Sequence, residues 1–343
     1  MLLLFSTSLS IDENRNPTEK GSGMEVSGRG FQDLPEGCIA HVISLTSPRD
    51  SCRSAGTSTA FRAAAESDTV WDRFLPSDIC SVLSRAVEPV ECSSRRELFF
   101  RLCDPILIDG GRMSFALDKS SGAKCYMLSA REMKIVWGDT PSYWHWLSAD
   151  DYSYADEYSF ADDYSYADGY SFADDYRYSL SLPPARFSEV AHLVGVCWLE
   201  IGGSIDRQVL SPNTTYAAHL VFKLVGETSS FTHPPQKVSV KAGDNESSHT
   251  VRLQPPTFNY RRHYPHGLLF DDDEEEETEE TTEGDDASLP CSRADGWMEV
   301  EMGEFFNKEG EDGEVEMSLM EVEGGHWKNG LIIHGIEVRP KKN

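Results

Sequence analysis

Residues 296–322 read GWMEVEMGEFFNKEGEDGEVEMSLMEV. Before the Asn-Lys-Glu-Gly-Glu-Asp-Gly turn, Met298, Val300 and Met302 alternate with Glu299 and Glu301. After it, Val315, Met317 and Leu319 alternate with Glu314, Glu316 and Ser318. A period of two puts the apolar side chains on one face and the polar ones on the other, the pattern of a strand buried on one side. The same beat runs outward from this stretch. Tyr216, Ala218, Leu220, Phe222 and Leu224 line one face of an upstream segment, and Ile332, Ile336 and Val338 share a face with His334 in the last one. Short runs of this kind from about residue 123 onward, separated by Gly, Pro and Asn turns, predict an all-β antiparallel sandwich.

The first third of the chain has the other period. Leu34-Pro35-Glu36 opens a segment with Ile39, Val42 and Ile43 at helical spacing, which makes one apolar stripe. Ser47-Pro48-Arg49-Asp50 announces a second helix, with an N-cap hydroxyl, a proline at the first helical position and a carboxylate at the third. Phe61 with its alanine neighbours, Val70-Trp71 and Phe74-Leu75-Pro76 continue a small all-α bundle within residues 31–106. So small a helical unit has little core of its own, and apolar residues near its start suit a partner helix.

A chain of 343 residues has room for about two domains. Its formal charge of -27 is local: residues 149–179 carry nine acids and one Arg, residues 271–286 carry twelve acids, and the remainder is only mildly acidic. No basic stripe is present to neutralise a phosphate backbone, which argues against nucleic-acid binding. No apolar run approaches the roughly 18 residues of a membrane span. The eight cysteines show no Cys-x-x-Cys pair, so reduced thiols and a soluble protein of the cytoplasm and nucleus are expected. Residues 1–30 read as a disordered extension. Residues 149–179 repeat the hexad Ala-Asp-Asp-Tyr-Ser-Tyr, and its self-repelling acids and evenly spread aromatics predict a disordered insertion. Residues 271–286 read as an acidic loop. Sugar-bond hydrolysis needs two carboxylates at a set separation, which abundance alone does not supply. The chain has no Gly-x-Ser-x-Gly elbow, phosphate-cradling Gly-Lys loop or His-Glu-x-x-His pair, and His263 and His266 lack nearby thiol partners. A non-catalytic binding protein without metal or cofactor is expected.

Residues 130–146, AREMKIVWGDTPSYWHW, place Trp137, Tyr143, Trp144 and Trp146 across a Gly-Asp-Thr-Pro turn. Aromatic rings at a turn are what the apolar face of a sugar stacks against, with neighbouring carboxylates supplying hydrogen bonds. Trp198, Trp297 and Trp327 sit in strand-like runs and are expected in the core.

Two resemblances attach to these residues. Leu34-Pro35, Ile39, Ile43, Leu45, Asp50, Cys52-Arg53, Phe61, Trp71 and Phe74-Leu75-Pro76 resemble an F-box, the module that docks on the Skp adaptor of a cullin ubiquitin ligase. That resemblance implies adaptor contacts at Leu34, Pro35, Ile39, Ile43 and Leu45. Residues 130–146, VCWLEIGGSID at 196–206, LSPNTTYAAHLVFKL at 210–224, residues 296–322 and HWKNGLIIHGIEVRP at 326–340 resemble the phloem protein 2 and Nictaba lectin family of plants. This second resemblance implies a jelly-roll-like lectin domain over 107–343, with carbohydrate binding by Trp137, Trp144 and Glu314. Together they imply a substrate adaptor that joins a cullin ligase through the Skp adaptor and selects a glycan-bearing client. The alternative is a stress or defence lectin of the cytoplasm and nucleus that acts without ligase assembly.

Overall fold

A computed structural model describes residues 34–148, 182–225, 230–255 and 287–342. The extension at 1–30, the repeat at 149–179, the acidic loop at 271–286 and the pair His263 and His266 lie outside them. Among the described residues, six short α-helices come first: α1 (Glu36–Ser44), α2 (Pro48–Ser54), α3 (Thr59–Glu66), α4 (Asp68–Phe74), α5 (Ile79–Ser84) and α6 (Arg95–Arg101). Fourteen strands follow among the described residues: β1 (Ile106–Ile108), β2 (Met113–Leu117), β3 (Lys124–Ser129), β4 (Lys134–Ile135), β5 (Trp144–Ser148), β6 (Glu189–Leu193), β7 (Leu199–Asp206), β8 (Thr214–Leu224), β9 (Gln236–Ala242), β10 (Asn245–Val251), β11 (Cys291–Ser292), β12 (Met298–Asn307), β13 (Glu314–Glu321) and β14 (Leu331–Pro340).

The helices begin where the caps say they should. Ser47 Oγ accepts from the Asp50 amide at 3.1 Å with Pro48 as the first helical residue. At α6, Ser94 Oγ accepts from the Glu97 amide at 3.1 Å, while the Glu97 carboxylate reaches back to the Ser93 amide at 2.9 Å. Each such bond satisfies an otherwise orphaned amide. Trp71 centres the bundle. Its indole N–H donates to the Ala65 carbonyl at 2.7 Å, and its ring lies 5.1 to 5.5 Å from those of Phe74, Phe99 and Phe100.

The strands form two antiparallel sheets. One has nine strands along the path β1-β2-β3-β14-β8-β12-β11, with β6 alongside β14 and β5 alongside β6; the other has five in the order β10-β9-β13-β7-β4. Two packed antiparallel sheets are the expected sandwich, but nine and five strands exceed the eight of a jelly roll. The strands either side of the 308–313 turn part company, β12 joining the larger sheet and β13 the smaller. Val315, Met317 and Leu319 of β13 and Val300 and Met302 of β12 are buried in the same core, so the alternation places both strands correctly by face. The expected face of β14 needs correction. A bulge between Ile333 and Gly335 shifts its register against β8, so Ile333, Ile336 and Val338 enter the main core while Ile332 and His334 lie on the outer face. One extra residue at a bulge swaps the faces downstream. Gly335 is required there, because a Cβ would sit 2.0 Å from the Leu128 carbonyl oxygen.

The described residues from Glu36 onward form one compact unit. The change of texture near residue 106 is therefore no linker: Phe99 and Leu102 share the main core with Ile108 and Phe115. Leu117 donates its amide to the Leu102 carbonyl at 2.7 Å, and the buried Lys124 ammonium meets Asp78 at 2.8 Å. The turn between β2 and β3 presses against the helices at Gly122, whose φ of +76° and 3.0 Å approach to the Phe74 carbonyl leave no room for a side chain.

Candidate functional site

Trp137 follows the short β4. Ile135 pairs with Ile201, the Val136 amide donates to the Glu200 carbonyl at 3.1 Å, and the chain then turns, with the Thr140 amide donating to the Trp137 carbonyl at 2.9 Å. Trp137 adopts a φ of +58° at this corner. It is 44% exposed, and its ring lies 5.4 Å from Tyr143. Trp146 braces the same turn from beneath, its indole N–H donating to the Gly138 carbonyl at 2.9 Å while the Arg131 guanidinium stacks 3.6 Å above its ring. Glu189 holds Arg131 in place through two hydrogen bonds of 2.7 and 2.9 Å, and that partner keeps the Glu189 carboxyl below its usual range.

The other two residues expected with Trp137 are not beside it. Trp144 opens β5 opposite Leu193, is 2% exposed and belongs to the main core, so its ring has no face to offer a ligand. Glu314 is exposed but begins β13 opposite Asp206, at the far end of β7 from Leu199 and Glu200. Seven strand steps separate the two ends, roughly 20 Å at the rise of a strand. Alternation shows which face Glu314 occupies; it carries no information about how far along the strand that face comes level with Trp137.

Two tryptophans expected in the core are exposed at the same end of the sandwich as Trp137 instead. Trp198 is 43% exposed just before β7, and its indole N–H donates to the Glu200 carboxylate at 3.0 Å. Trp327 is 64% exposed, and a Cβ on Gly195 would lie 3.5 Å from its ring. The backbone gathers these pieces: Val194 donates to the Tyr143 carbonyl at 2.9 Å, and Val196 and Lys328 exchange two bonds of 3.0 and 2.8 Å. A readable signal did exist for Trp327, because Gly324, Gly325, Asn329 and Gly330 surround it and mark a turn rather than a strand interior. Trp297, by contrast, is buried as expected.

Beneath the two indoles lies a buried ion pair. Lys328 is fully buried and paired with Glu321, the last residue of β13. Its ammonium also donates to the Cys197 carbonyl at 3.0 Å and the His326 carbonyl at 2.9 Å. Burial raises the Glu321 carboxyl, but its bonds from Lys328 and from the Gly324 amide outweigh that and hold it below the usual range. Among the described residues, no group of three or more His, Cys, Asp or Glu has an arrangement that holds a metal.

The second candidate surface is the start of the helical region. Leu45 at the end of α1 is exposed; Leu34 and Pro35, each exposed as well, fall in the separate unit that ends at Pro35. Ile39 and Ile43 are not available to a partner, because they face inward and pack in the core. The helical turn between them carries Val42 outward instead, and it is 54% exposed.

Comparison with known proteins follows the same two-part division. The family model described as Phloem protein 2 matches residues 123–159 and 171–340. The chain is similar to three proteins of Arabidopsis thaliana whose names call them F-box proteins. It is 37% identical to F-box protein PP2-B15 over 90% of this chain and 96% of the relative. It is 36% identical to F-box protein PP2-B10 over 91% and 94%, and 37% identical to F-box protein VBF over 90% and 99%.

Proposed function

The chain belongs to the phloem protein 2 family as an F-box phloem protein 2-like protein, and from that premise we propose that it is a substrate adaptor of a cullin-type ubiquitin ligase. The helical region docks on the Skp-type adaptor, the sandwich holds a glycan-bearing client, and ubiquitin transfer belongs to partner subunits. The observation that carries this reading is the outward apolar face of α1. Val42 and Leu45 stay in water although the helix has a core to bury into, and large exposed apolar residues grouped on a small helix mark a protein interface. The sandwich contributes a separate surface, the end that carries Trp137.

Capture of a purified Skp-type adaptor by the full chain tests the docking half. The expected result is retention by the native protein and a loss of at least about tenfold in affinity for Val42→Asp with Leu45→Asp, roughly the cost of burying unpaired charge at an interface. The melting temperature should stay unchanged, since neither residue lies in the core. Absence of adaptor binding by the intact chain contradicts the proposal and returns the protein to a lectin that works outside a ligase.

A further inference from the structure

We propose that Trp198 and Trp327, held at a set separation by the buried Lys328 ammonium, form a stacking site for a neutral saccharide. The inference rests on the glycan reading above and gives that reading its residues.

One charge fixes two loops. Lys328 Nζ donates to the carbonyl of Cys197, which precedes Trp198, and to that of His326, which precedes Trp327. Both acceptors lie within 3.0 Å of a single nitrogen, so the two peptide units stay within about 6 Å of each other. Glu321 neutralises that nitrogen from the end of β13. A fully buried lysine is costly unless paired and hydrogen-bonded, and here its bonds go to the backbone that carries the two exposed rings. Gly195 completes the seat, leaving the space beside the Trp327 ring free of a side chain. A rigid support of this kind lowers the ordering cost of binding.

The surroundings select among occupants. Glu200 accepts from the Trp198 indole, and Glu323 and Asp139 are exposed on the adjoining turns. These acids repel phosphates and other anions, and an apolar helix laid across the rings would leave the carboxylates without water. A polyhydroxylated ring satisfies both parts of the surface: its C–H face covers an indole and its hydroxyls donate to the carboxylates. Trp137 stands at the same end as a third aromatic face.

Titration of the full chain with a free N-glycan core pentasaccharide and with cellotriose, followed by tryptophan fluorescence and calorimetry, tests the site. Cellotriose offers similar pyranose faces without acetamides. The native chain should bind one or both, and Trp198→Ala and Trp327→Ala should each weaken binding roughly tenfold, about the value of one stacked ring, with little change in melting temperature because both rings are exposed. Replacing the pair together, Lys328→Met with Glu321→Leu, leaves a folded protein with both carbonyls released; it should show both tryptophan rings intact by absorbance but an affinity lowered several-fold. Native binding that survives both single alanine variants overturns this site and leaves the glycan reading standing. No binding of either saccharide by the native chain overturns both.

Discussion

Trp144 fills the main core from the first position of β5, so its truncation to alanine leaves a large cavity. The expected cost is about 3–5 kcal/mol, read as a lower melting temperature in thermal denaturation, with glycan affinity unchanged for the fraction that remains folded. A stable Trp144→Ala protein that has lost only saccharide binding would contradict this placement. Trp137, seven residues earlier, has the opposite exposure because β4 ends and the chain turns before it. The aromatic density of residues 130–146 was legible in the sequence, but which ring enters the core depends on where a two-residue strand stops. Trp198 and Trp327 escaped for a related reason. Each precedes an alternating run, and for Trp198 the spacing alone does not show that the strand begins only at Leu199.

The strand β14 carries the clearest titrating element. On its outer side His334 accepts from the Arg186 amide at 2.9 Å and stacks on Trp297 at 4.4 Å, while Glu337 meets Arg186, Arg293 and Arg339. Burial, helped by Arg186, lowers His334 to about 3. Burial alone would raise Glu299 and Glu337, but Arg339 and Arg293 outweigh it and bring both carboxyls down to about 2. All three groups therefore bind protons less readily folded than unfolded, so the stability they contribute is full above the unfolded histidine value of about 6.5 and is lost as pH falls. Melting temperatures should be level between about pH 7 and 8, decline below about 6.5 as the unfolded histidine takes up its proton, and drop more steeply below about 4.5 as the unfolded carboxyls follow. A midpoint that rises on acidification across that window would contradict the network. The cap at Ser47 and the faces of β8, β12 and β13 follow directly from local pattern. The bulge at His334 does not, because the close approach of Leu128 that demands Gly335 comes from β3, a strand about two hundred residues away in sequence.

At the scale of the molecule, the helices and the sandwich share one core, and the contacts of Gly122, Lys124 and Leu117 with the helical region hold them as a single body. On the proposed function, an adaptor bound at α1 and a client bound at the tryptophan end would therefore be presented in a fixed relation. The two modules are readable from composition and periodicity, but their fusion is not, since it depends on Phe99 and Leu102 meeting Ile108 and Phe115 across the apparent boundary. One capture measures this bridging: a Skp-type adaptor applied to an N-glycan resin with and without the full chain. The adaptor should be retained only when the chain is present, and it should be released by free pentasaccharide, by Val42→Asp with Leu45→Asp, and by Trp327→Ala. An adaptor that binds the chain in solution yet never reaches the glycan resin with it would contradict bridging.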